Sequence, residues 1–70
     1  MTAVTRDDVL KTGWGVVQGD SDFPGYDEKV WFIAFLGIPD REHEYTTEAG
    51  AWGVLLEHFQ AQREHDERQA

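Results

Sequence analysis

Residues 29–37 read KVWFIAFLG, and the seven from Val30 to Leu36 are all apolar, three of them aromatic. No other feature restricts the fold as much. The run is far shorter than the ~20 residues a membrane-crossing helix needs. It is too short for a buried helix as well, and its β-branched and aromatic side chains favour a strand. A strand over residues 29–36 sends alternate side chains to opposite faces. Val30, Phe32, Ala34 and Leu36 share one face; Trp31, Ile33 and Phe35 share the other. Both faces are apolar, so both need cover.

Cover is scarce in 70 residues. A chain of this length forms one domain, 1–70, and buries only about 60% of the surface its unfolded form exposes. It has no cysteine, hence no disulfide and no cysteine-based zinc site. Stability must come from an aromatic core, for which three Trp, four Phe and two Tyr are at hand, or from self-association.

The flanking segments supply the other elements. "TRDDVLKT", residues 5–12, predicts a short helix with Thr5 as N-cap and Asp7 and Asp8 in its first turn. Val9 and Leu10 would face the core, and Gly13 would stop the helix. "WGVVQG", residues 14–19, has the glycines and paired valines of a strand more than of a helix extension. "DSDFPGYDE", residues 20–28, is a loop. Residues 37–40 turn the chain, and "REHEYT", 41–46, alternates weakly as a third, edge strand. Thr46 or Thr47 then caps a helix over about 47–63, whose Trp52, Leu55, Leu56 and Phe59 make one apolar stripe. Residues 64–70 are polar all round and read as a fraying tail. The tripeptide Trp-Gly-Val recurs at 14–16 and 52–54 with unlike flanks, so it is no repeat. The expected fold is α+β: a short N-terminal helix, a two- to three-stranded antiparallel sheet and a long C-terminal helix on one sheet face.

On that plan the helix stripe suits the smaller Val30–Phe32–Ala34–Leu36 face. Trp31, Ile33 and Phe35 are left as a contact surface, since exposed aromatic patches mark interaction sites. The bland alternative is that the acidic loop folds back over this face with Phe23 and Tyr26 as lid. Charge is the second clue. The chain carries a formal −8, and residues 20–48 hold eight acids against Lys29 and Arg41. The carboxylates of Asp20, Asp22, Asp27 and Glu28 precede the strand. Those of Asp40, Glu42, Glu44 and Glu48 follow it. The expectation is one acidic cluster at each strand end, roughly 26 Å apart.

Chemistry is poorly provided for. Asp20, Asp22 and Gly25 imitate the start of an EF-hand loop, but Pro24 and Trp31 occupy ligand positions. His58 and His65, with Gln62 between them on one helical face, are too few for zinc. Ser21 is the only serine and has no histidine near it in sequence. No acid lies in an apolar run that would raise its pKa. No catalytic residue, metal site or cofactor is assigned, and an enzyme is not expected.

The excess of acids argues against direct contact with nucleic acid or anionic membranes. The N-terminal "MTAVTRDDVLK" lacks the pattern of a signal peptide, so a cytoplasmic protein is expected. The expected function is a small acidic binding module. It would dock on a basic protein, for instance one that itself binds nucleic acid, as inhibitor or adaptor and nucleic-acid mimic. Accessory proteins of phages and mobile elements share this profile, an analogy of class only. The alternative is a structural subunit that self-assembles, as a homodimer for instance, through its sheet face.

Overall fold

The computed structural model describes residues 3–69. Helix α1 (Arg6–Leu10) is followed by strands β1 (Trp14–Asp20), β2 (Lys29–Phe35) and β3 (Ile38–Pro39), then by helix α2 (Glu48–Gln69). The sheet is antiparallel in the order β1-β2-β3, and the arrangement is α+β.

Local chemistry explains the boundaries. Thr5 caps α1 through a capping box: its hydroxyl accepts from the Asp8 amide at 3.2 Å, and the Asp8 carboxylate accepts from the Thr5 amide at 3.0 Å. That backbone hydrogen bond holds the Asp8 carboxyl below the usual aspartate range, with Arg63 and Lys11 assisting. Gly13, at φ +99°, turns the chain out of α1, where a residue with a Cβ would be strained. Thr47 starts α2, its hydroxyl accepting from the Gly50 amide at 3.0 Å. The helix continues to Gln69, beyond residue 63, where the tail was expected to begin.

The third strand differs from expectation. It is the pair Ile38–Pro39, set opposite Phe35 and Ala34, and residues 41–46 contribute only a single bridge from Tyr45 to Trp31. Leu36 and Gly37, at φ +52° and +83°, make the two-residue hairpin turn. Left-handed φ at both positions gives a turn whose twist matches the strands. Leucine seldom adopts it.

The two faces of β2 are covered in the opposite sense to that expected. Residues directly opposite in an antiparallel pair project from the same face. The register puts Trp14, Val16 and Gln18 of β1 beside Phe35, Ile33 and Trp31. Val16 and Ile33 pack against a cluster of Val9, Trp52 and Leu55, joined by Val4, Leu56 and Phe59. The helices therefore lie on the Trp31–Ile33–Phe35 face. β1 contributes to the difference: Trp14 and Val16, with Gln18, lie on this face, whereas the other receives Val17 between Gly15 and Gly19. Of α1's two apolar residues only Val9 is buried; Leu10 is exposed.

On the second face Val30, Phe32 and Ala34 are nonetheless buried, Phe32 to 1% exposure. Phe23 and Tyr26 are both exposed. Arg41 covers the Phe32 ring. Its guanidinium carbon stands 4.8 Å from the centre of the Phe32 ring. Gly19 makes room below, with the Phe32 ring 3.1 Å from where a Cβ would stand.

Twenty-two helical residues span roughly 33 Å, against about 20 Å for a seven-residue strand. The end of α2 therefore overhangs the sheet. The molecule measures 49 × 18 × 17 Å, and its radius of gyration is 13.8 Å. A compact domain of this length would have about 11 Å.

Candidate protein-docking surface

Arg41 organises one end of the molecule. Its Nε and Nη2 reach the two carboxylate oxygens of Asp22 at 3.0 and 2.7 Å, and Nη2 also donates to the Asp20 carbonyl at 3.0 Å. Glu44 ties the same loop from the other side. It accepts from the Ser21 hydroxyl at 2.5 Å and from the Asp22 amide at 2.9 Å. Lys29 pairs with Asp20 across the first rung of β1 and β2. The Arg41 hydrogen bonds hold the Asp22 carboxyl below the usual range, and the Lys29 hydrogen bond and charge do the same for Asp20. Asp22 in turn raises the pKa of Arg41.

The two acidic segments are therefore not at opposite ends of β2. After β3 the chain runs back beside β2: the Asp40 amide donates to the Ile33 carbonyl, and Tyr45 exchanges both backbone hydrogen bonds with Trp31. This return carries Arg41 and Glu44 to the loop at the start of β2. Glu42 and Glu44 thus join the first cluster in one acidic end, while Glu48 pairs with Arg6 at 3.6 Å. Arg41 and Lys29 are already engaged there, so Asp27, Glu28 and Glu42 remain exposed and outside the ion pairs found among the described residues.

Asp40, Glu42 and His43 are the described residues close enough to share an ion, their ligand atoms lying within 4.8 Å of one another. All three are exposed, and Asp40 is used locally: Oδ1 accepts from the Glu42 amide at 3.1 Å, and His43 Nδ1 lies 3.2 Å from Oδ2. The grouping shapes the return loop.

The opposite end is apolar. Leu36 and Ile38 are exposed to 70% and 74%, and Leu10, Trp14 and Phe35 are exposed beside them. The register places Phe35 against both Trp14 and Ile38, and the Trp14 and Phe35 rings meet at 4.8 Å between centroids. The Leu36 side chain lies over Gly13. Of the three aromatic-stripe residues, Phe35 alone reaches this tip. Trp31 and Ile33 are half-buried on the helix face. Sequence reasoning missed Leu10, Trp14, Leu36 and Ile38 as surface residues. Leu36 lies in the turn itself and Ile38 directly after it.

Between the two ends runs β1, whose outer side is the sheet's long edge. Among the described residues no helix is long and apolar enough to cross a membrane. Comparison with protein-family models, curated proteins and solved structures finds no match.

Proposed function

We propose that the protein is a non-catalytic binding module that docks its acidic end on a basic protein and so acts as an inhibitor or adaptor. One observation carries the reading. Seven carboxylates between Asp20 and Glu44 face two cations, and both cations are consumed in holding the loops together. The remaining charge is presented on a framework braced by Arg41 and Glu44, so little ordering is needed when a partner binds. A basic groove would feel the whole end at once, which raises the association rate more than the final affinity.

The test is to replace Asp27, Glu28 and Glu42 by their amides, sparing Asp20 and Asp22, which hold the fold. Captured partners are compared by quantitative mass spectrometry, and association with the recovered partner is timed from ~50 to ~200 mM salt. The reading requires the amide variant to associate more slowly and with a flatter salt dependence. Equal rates for the two proteins at every salt concentration would mean that the carboxylates only solubilise the chain.

A further inference from the structure

The outer edge of β1 has unused hydrogen-bonding groups, and their position can be read from the ladder. Trp31 gives both its N–H and its C=O to Tyr45, and the Ile33 carbonyl is taken by the Asp40 amide. Trp31 and Ile33 therefore turn their backbone towards the β3 side. Their partners in β1, Gln18 and Val16, turn theirs outwards by the alternation of an antiparallel ladder. Gly13 confirms the phase, since its carbonyl accepts from the Leu36 amide on the inner side.

At the two ends of the edge the chain supplies its own partners. The Trp14 amide donates to the Thr12 hydroxyl at 3.4 Å, and the Asp20 carbonyl takes Arg41 at 3.0 Å. Among the described residues the N–H and C=O of Val16 and of Gln18 have no partner, nor have the Trp14 carbonyl and the Asp20 amide, and the set is disposed symmetrically about Val17. Most of the usual edge protections are missing: β1 has no proline, no lysine and no bulge in its register, and its one charged residue, Asp20, stands at its end.

We infer that this edge pairs with β1 of a second copy of the chain, antiparallel, about a two-fold axis through Val17. The open groups of each copy then satisfy those of the other, Val16 opposite Gln18, Gln18 opposite Val16, and the Trp14 carbonyl opposite the Asp20 amide. The segment Gly15-Val16-Val17-Gln18-Gly19 suits this register from both directions. Glycine meets glycine at each side, and Val17 meets Val17 on the Arg41 face.

Charge selects the antiparallel sense. Each copy carries −8, concentrated beyond Asp20. Antiparallel pairing places Asp20 opposite the second copy's Trp14 and sends the two acidic ends to opposite ends of the dimer. A seven-residue strand separates them by roughly 20 Å or more. That exceeds the ~8 Å screening length at physiological salt. A parallel pair would set the acidic ends side by side. The Trp31–Ile33–Phe35 face is occupied by the protein's own helix and offers no self-complementary contact.

Sedimentation equilibrium on the purified chain tests this, combined with amide hydrogen exchange at low and high protein concentration. The expected mass rises with concentration towards twice 8.0 kDa. The Val16 and Gln18 amides should become protected over the same range, while that of Val17, bonded inside the sheet, is protected throughout. Added salt should strengthen the dimer, because it screens like charges; it would weaken docking on a basic partner, so the two contacts are separable. Gln18→Pro removes an outward N–H only, which an edge strand tolerates, and should leave a folded monomer. A mass of one chain at every concentration overturns the inference. So does a dimer whose Val16 and Gln18 amides stay unprotected, or one that survives in folded Gln18→Pro. Should that variant fail to fold, the exchange pattern of the unaltered chain decides.

Discussion

The two faces of the sheet are buried by different means. On one, an apolar helix stripe of Trp52, Leu55, Leu56 and Phe59 lies over Val16 and Ile33. On the other, Phe32 lies beneath a guanidinium that is itself held by Asp22 and the Asp20 carbonyl. The first needs only hydrophobic side chains at helical spacing. The second needs a planar cation, since Arg can stack on a ring and still donate sideways to a carboxylate. The pairing of an arginine with a buried ring lets a small chain cover Phe32 on its second face without a third layer of structure.

Four measurements would break or sharpen this contrast. Phe32→Ala and Trp52→Ala should each lower stability by about 3–5 kcal/mol in denaturant titration, as large truncations of buried aromatic residues do. If the Arg41 face were only loosely covered, Phe32→Ala would cost a small fraction of Trp52→Ala. Gly19→Ala comes next. Its methyl would press on the Phe32 ring from 3.1 Å, and the ring is held from the far side, so a loss of about 1–3 kcal/mol is expected from overpacking. A stabilised variant would show that the ring can move.

Gly53→Ala is the counterpart on α2. Nothing lies within 4 Å of the added Cβ, and the helix interior favours alanine, so a gain of about 0.5–1 kcal/mol should appear as a raised unfolding midpoint. Last is the acid limb of the stability profile. Asp20 and Asp22 have folded pKa values below the 3.8 of the free side chain. The folded state thus binds protons less readily, and the stabilisation is complete above that value. It is lost as pH falls through the lowered folded pKa values. Arg41→Met keeps apolar cover over Phe32 but should flatten this acid limb. An unchanged limb would mean that the Asp22 contact contributes nothing in solution.

The kinds and order of elements were legible in the sequence because each rests on local chemistry: the Thr5 and Thr47 caps, the stop at Gly13, the apolar run of β2. The assignment of faces was not, because β2 was weighed alone. The residues of β1 enter it too, with Trp14, Val16 and Gln18 on one side and Gly15, Val17 and Gly19 on the other. The third strand was hidden for a different reason. Leu36-Gly37 lacks the Asn-Gly or Asp-Gly signature of such turns, and Pro39 reads as a breaker. The acidic residues of the candidate surface were visible as composition, but their union at one end was not. It depends on the return of the chain beside β2, which brings Tyr45 to Trp31 and Arg41 to Asp22, contacts 14 and 19 residues apart in sequence.

The overhang of α2 has a hydrodynamic consequence. A body of 49 × 18 × 17 Å displaces solvent like a rod, so it tumbles and diffuses more slowly than a sphere of the same mass. In gel filtration a single chain would elute early, at the volume of a heavier globular protein, and could be mistaken for a pair. Elution volume and rotational correlation time therefore report the length of the helix as much as the number of chains. A mass obtained at equilibrium does not depend on shape.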